Sequence, residues 1–260
     1  MSRFGFGVAA GLDPDVAAPL AARCEELGYS SLWSNDHPGA NGLETLAGFA
    51  AGTEELELGV AVMALDRHDP AEINRRIDSM GLDRDRLWVG VGAGTAARPL
   101  TTMREALPAL REAFSGVRLV LAAMGPRMST LAGSAFDGAF LNWITPEAAA
   151  GARESVHSGA ADAGREPPPV FGYVRTAVGE DARERLAKEE SFYRDLHDWY
   201  RRQFARLDRP KGTVGVAAAD AELARRALDK YDVLDVVVVR ALASGTLEAM
   251  GALAAAAAPE

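Results

Sequence analysis

The sequence predicts an α/β protein, a (β/α)8 TIM barrel formed as a single domain over residues 1–260. Three observations carry that prediction. Short apolar runs rich in Val, Leu and Ala recur along the chain, with the composition of strands buried on both faces. Helix-patterned stretches separate nearly all of them, and alternation of this kind implies a parallel sheet that eight units close into a barrel. The length of 260 residues also fits one such barrel, typically about 250.

Residues 5–9 read as the first strand. Asp13, Pro14 and Asp15 cap a helix that runs through Leu20, Cys24 and Leu27 and stops at Gly28. The second strand, 32–33, ends in Ser34, Asn35, Asp36, His37 and Pro38. A short helix over 43–51 leads to the third strand, 56–62. Pro70 opens a helix with Ile73, Ile77 and Met80 on its apolar face, and 87–91 is the fourth strand. A helix over 102–114 carries Pro108 as an expected kink. The fifth strand follows at once from Arg118 and includes the apolar run 119–122, which Gly125 and Pro126 break. Pro126 suits the first turn of the next helix, whose inner face is Met128, Leu131, Ala132 and Ala135. The sixth strand covers 138–141, a helix 146–163, and a proline-rich surface connection 165–169. Strand seven spans 170–178, and a charged helical region extends from 181 to about 208. A short extra strand at 213–217, a helix at 220–231, the eighth barrel strand at 233–239 and a closing helix complete the chain. No repeat of 20 to 50 residues, the period of solenoids and propellers, is visible.

Composition limits the partners. A net charge of −9 argues against nucleic acid and against anionic membrane surfaces. No apolar run approaches the roughly 20 residues of a membrane span, and no signal pattern opens the chain, so a cytoplasmic location is expected. The lone cysteine, Cys24, cannot form an intramolecular disulfide, and its place on an apolar helix face marks an inert core thiol. His37, His68, His157 and His197 lack metal-ligand spacing, so no metal site is expected.

In such a barrel the chemistry sits at the C-terminal ends of the strands. After the fifth strand, Gly125 and Pro126 begin a helix whose first amides lack partners, and Arg127 adds a cation. That corner suits an anion such as phosphate, and it equally suits an ordinary strand-to-helix turn. Asn35, Asp36 and His37 sit on a loop at the mouth, either as functional groups or as a local turn. The glycines from Gly90 to Gly94 lack the dinucleotide spacing and also fit close strand–helix packing. Asn142, Trp143 and Arg175 either face the pocket or are structural, and Arg240 either points to the mouth or lies on the surface. His197 to Tyr200 reads as a solvated helical face.

Several of these stretches form one ordered pattern. The pattern A-A-x-G-P-x-M at 122–128 is followed by L-A-G at 131–133, D-G at 137–138 and L-N-W-x-T-P-E at 141–147. It resembles the luciferase-like monooxygenase family, most closely the branch that uses the deazaflavin coenzyme F-420. L-G-Y-S-S-L-W at 27–33 and V-V-V-R-A-L at 237–242 extend the resemblance over most of the chain. It implies a luciferase-like barrel, usually a homodimer, that moves hydride between coenzyme F-420 and a small organic substrate. FMN is the alternative cofactor, supporting monooxygenation, and a non-catalytic flavin-binding or degenerate barrel is a third reading. The resemblance implies His37 as the catalytic residue, placed for proton transfer or substrate binding, a task suited to imidazole. It implies cofactor contacts at Asp36, at the strand-three bulge of Ala61, Val62 and Met63, and at Gly92, Gly94 and Thr95. The bulge is expected to hold a non-prolyl cis peptide between Ala61 and Val62. The phosphate turn would be Ala122, Ala123, Met124, Gly125, Pro126, Arg127 and Met128. Asn142, Trp143 and Arg175 are the expected substrate contacts.

Two departures stand out. Some deazaflavin relatives place an acid as proton donor where this chain has Thr95, so that role is not carried over. The excursion usual between helix four and strand five is replaced by Phe114, Ser115, Gly116 and Val117 alone. A phosphate-binding lyase or isomerase would need a lysine at the mouth, and Lys188, Lys211 and Lys230 all fall outside the strand ends.

Overall fold

The computed structural model describes residues 3–259, and the expected domain limits at Met1, Ser2 and Glu260 lie outside the described residues. Strands β1 (Arg3–Val8), β2 (Ser31–Ser34), β3 (Glu57–Ala64), β4 (Leu87–Gly92), β5 (Arg118–Ala122), β6 (Gly138–Asn142) and β7 (Val170–Val178) lie parallel. β8 (Val216–Ala218) pairs only with the far end of β7, and β9 (Val236–Ala241) sits between β7 and β1. The β6–β7 pairing closes the ring, which gives the expected eight-stranded (β/α)8 barrel.

The helices around it are α1 (Pro14–Glu26), α2 (Gly42–Ala50), α3 (Pro70–Ser79), α4 (Pro99–Ala113), α5 (Pro126–Ala135), α6 (Pro146–Asp162), α7 (Ala182–Leu196), α8 (Asp198–Leu207), α9 (Ala221–Leu228) and α10 (Leu247–Ala256). Local chemistry sets their starts. Asp13, Asn41, Asp69, Thr145, Asp220 and Thr246 each accept a hydrogen bond from a first-turn amide of the helix they precede. Proline occupies the first turn of α1, α3, α4, α5 and α6.

Most expected elements appear with shifted ends. The main correction concerns 181–208, which is two helices, not one. His197 is extended (φ −154°, ψ 150°) and breaks the run between α7 and α8. α4 begins three residues earlier than its pattern suggested and carries Pro108 inside one continuous helix. The last barrel strand lies further along than 233–239, because Tyr231 ends a 3-10 turn and Leu234 bonds back to its carbonyl. The peptide between Ala61 and Val62 is cis, and the β3–β4 register shifts between Val60 and Met63, as the resemblance implied.

Large rings fill the barrel axis. Trp33 packs on Phe140 and Phe171 at centroid distances of 4.7 and 5.1 Å, and Trp88 meets Phe171 at 4.9 Å. Room for the Trp33 indole comes from Gly59, where a Cβ would lie 2.3 Å from the ring. The Trp33 Nε1 donates to the buried Ser31 Oγ at 2.9 Å, so its polar edge is satisfied. A second apolar layer lies between strands and helices and includes Cys24, which is fully buried. Burial pushes its thiol up to about 12. Cys24 should therefore resist alkylation in the native protein at pH 8 and react promptly in denaturant. Fast native labelling, read by mass spectrometry, would contradict that placement.

Candidate active site

The mouth of the barrel has an open side and a covered side. On the open side the ends of β3, β4 and β5 present small apolar groups. A Cβ added at Gly92 would lie 3.2 Å from Val62 Cγ2 and 3.4 Å from Ala122 Cβ, so these residues form one continuous patch. Val62 and Ala122 are half-exposed, while Ala61, Met63, Gly92 and Ala123 are buried behind them. Such a surface lets a flat ring approach the backbone.

The rim of that side is tied by two carboxylates. Asp36, after β2, accepts from Arg67 Nη2 at 2.7 Å and lies 2.7 Å from His68 Nε2, both on the loop after β3. Its side chain is only 2% exposed. Asp66 accepts from the Thr95 amide at 2.7 Å and the Thr95 hydroxyl at 2.6 Å, joining the β3 loop to the β4 loop. At Gly94 (φ 59°) a Cβ would fall 1.9 Å from Asp66 Oδ1, so glycine is required both for the turn and for the carboxylate. Desolvation acts to raise the Asp66 carboxyl, but the Thr95 hydrogen bonds and the charge of Arg67 outweigh it and hold the group below its ordinary value. Thr95 thus orders the rim. His37 is exposed, and its Nδ1 accepts from the Gly39 amide at 3.1 Å within a small turn. That bond makes Nδ1 the acceptor of the neutral ring and leaves the proton on Nε2.

The β5–α5 corner has the features of an anion seat. Gly125 is extended, and α5 has no side-chain cap. Met128 and Ser129 amides turn back to the Gly125 carbonyl, both at 3.0 Å. Arg127 and Pro126 are exposed, and Met124 and Met128 are half-buried. Arg206, on α8, donates from Nη2 to the Met124 carbonyl at 2.5 Å, and its Nη1 lies 3.0 Å from where a Gly125 Cβ would stand. Beside this corner lies a cavity of about 450 Å³ bordered by Met124, Trp199, Arg202, Ala205 and Arg206.

The covered side lies under α7 and α8. Trp143 is buried with φ 51°, packs on Tyr193 and Phe204, and has its carbonyl held by Gln203 Nε2 at 2.8 Å. Arg175 is 2% exposed, donates to Asn142 Oδ1 and lies 3.9 Å from the Trp143 ring centroid. Asn142, Trp143 and Arg175 are therefore one contacting group. Arg240, for which a surface position was equally open, is buried at 6% exposure beside them.

Sequence reasoning missed the rim residues Asp66, Arg67 and His68 and the α8 contacts of Gln203 and Arg206. The first three had a signal, the run Asp66-Arg67-His68-Asp69 directly after a barrel strand. Gln203 and Arg206 had none, because only the break at His197 folds α8 over the mouth. The stretch His197 to Tyr200 is a hinge plus a packing helix, with Tyr200 against Tyr193 at 4.8 Å, not a plain solvated face.

Comparison with known proteins agrees with the barrel fold. The luciferase-like monooxygenase family model matches residues 2–118 and 104–256. The 5,10-methylenetetrahydromethanopterin reductase of Methanolobus tindarius is 26% identical over 202 residues, covering 64% of this chain and 62% of that protein. The chain thus spans roughly three fifths of the length of the curated relatives it matches. The coenzyme F-420 dependent tetrahydromethanopterin reductase of Methanopyrus kandleri shares the fold at a TM-score of 0.76 and 16% identity, over 97% of both chains. The oxygenating constituent of 3,6-diketocamphane monooxygenase from Pseudomonas putida, in complex with FMN, does so at 0.69 and 13%, over 100% and 99%. Among the described residues no helix is long and apolar enough to cross a membrane, and no cluster suits a metal ion.

Proposed function

The chain belongs to the luciferase-like monooxygenase family, and on that premise we propose that it is an oxidoreductase moving hydride between coenzyme F-420 and a small organic substrate. The single observation that carries this reading is the β5–α5 corner. An uncapped helix N-terminus, a guanidinium and a cavity of about 450 Å³ meet there, next to a flat patch of small residues. The residues fit an anionic, ring-bearing cofactor. Val62, Gly92 and Ala122 would lie against its ring, and the Gly125 and Arg127 amides with Arg206 would hold its anionic tail. The name of a fold neighbour favours the deazaflavin, and the FMN-bound neighbour is the basis of the alternative.

A bound deazaflavin supplies two-electron hydride chemistry, whereas FMN in the same seat supplies reactivity with oxygen. The chain's own part is placement of cofactor and substrate. Asp36 and Asp66 fix the rim loops against each other. Under this reading His37, with Nδ1 accepting from the Gly39 amide, offers its Nε2–H as a hydrogen-bond donor to a substrate at the mouth.

Titration of the purified protein with each cofactor, followed by fluorescence, tests the reading. Saturable binding of coenzyme F-420, with FMN weaker, is expected. Tight binding of FMN alone would replace the deazaflavin by the alternative, and binding of neither would leave a barrel without this activity.

A further inference from the structure

Two arginines lie side by side on the inner face of the barrel, away from the cofactor corner. Arg175 of β7 and Arg240 of β9 are register partners, 2% and 6% exposed. Arg240 Nη1 donates to the Ala241 carbonyl at 2.9 Å, and its guanidinium carbon is 6.0 Å from the Tyr173 ring centroid. The carboxylate facing the pair is Glu189 on α7, whose Oε1 stands 3.9 Å from Arg175 Nε, beyond hydrogen-bond length. The other titratable groups facing Arg240 are the phenols of Tyr173 and Tyr193. Two guanidiniums against one carboxylate leave one positive charge without a counterion in a largely dry site, an arrangement that is costly unless an anion completes it. Arg175 Nε and the Tyr173 hydroxyl are buried without a hydrogen-bond partner, two donors to which an anion would supply the missing acceptor. Burial raises the Tyr173 phenol above its ordinary value, so it remains a donor.

We propose that Arg175 and Arg240, with the Tyr173 hydroxyl, form a seat for the carboxylate of a small organic acid, which makes a carboxylate-bearing molecule the substrate class. The charge count selects the ligand: one carboxylate neutralises the pair, whereas a phosphate dianion overshoots. The identification of that acid as the substrate rests on the hydride-transfer reading above, but the seat itself does not.

The test uses the protein without coenzyme, so its outcome is separate from that of the cofactor titration. Acetate is titrated at constant ionic strength, with chloride and inorganic phosphate as parallel arms, while the Nε–H resonances of Arg175 and Arg240 are followed by NMR. Acetate is expected to shift both signals saturably, phosphate to act more weakly, and chloride to leave them unmoved. Arg240→Met should weaken acetate binding about tenfold or more, and Tyr173→Phe, which removes only the hydroxyl, should weaken it several-fold, roughly the loss of one hydrogen bond. The second variant decides the matter should the first fail to fold. Shifts that grow linearly and equally with acetate and chloride, or acetate affinity unchanged in Tyr173→Phe, would overturn the proposal. Preference for phosphate over acetate would overturn the assignment of a carboxylate.

Discussion

Trp33→Ala should destabilise the protein by about 3–5 kcal/mol, a large share of the roughly 5–15 kcal/mol that holds a domain folded. The indole is fully buried at the barrel axis between Phe140 and Phe171. Its removal leaves a cavity that a closed ring of strands cannot collapse to fill, and it strands the buried Ser31 hydroxyl. Gly59 supplies an internal control. A Cβ there overlaps the indole in the intact protein, so Gly59→Ala alone should also destabilise. In the Trp33→Ala background the same change meets empty space and should cost much less. Urea denaturation of the four proteins measures the coupling, and strict additivity would contradict the packing described.

Arg206→Glu should weaken coenzyme binding about tenfold or more. A guanidinium–anion hydrogen bond contributes about 1.5–3 kcal/mol, and the lower end applies at an exposed position open to salt screening. Raising the salt concentration should weaken binding by the native protein more than by the variant. Arg206 also tethers α8 to the Met124 carbonyl. The melting temperature of the variant, measured in parallel, separates loss of that tether from loss of the anion contact. Unchanged coenzyme affinity in a folded variant would remove Arg206 from the site.

The barrel was legible in the sequence because its strands are doubly buried. Runs such as Leu119 to Leu121 and Val236 to Val239 have no polar member, and their alternation with capped helices admits few other topologies. The corner at Gly125 was legible for the same local reason, since a glycine before a proline marks a helix start without a side-chain cap. What escaped were the parts made by long-range contact. The Asp36–Arg67–His68 cluster joins loops some thirty residues apart, and no periodicity announces it. The fold of α8 over the mouth depends on one extended residue, His197, inside a stretch whose composition is uniformly helical. The burial of Arg240 was hidden too, because a lone arginine at a strand end reads the same whether it points into the barrel or out of it.

The backbone amides at the β5–α5 corner give the most direct test of the proposed cofactor seat. In an NMR titration with coenzyme F-420, the amide resonances of Gly125 and Arg127 are expected to shift saturably, with the midpoint seen by fluorescence. Riboflavin, which carries a ring without an anionic tail, should leave them in place. Binding of the coenzyme while these two amides stay unmoved would contradict the seat.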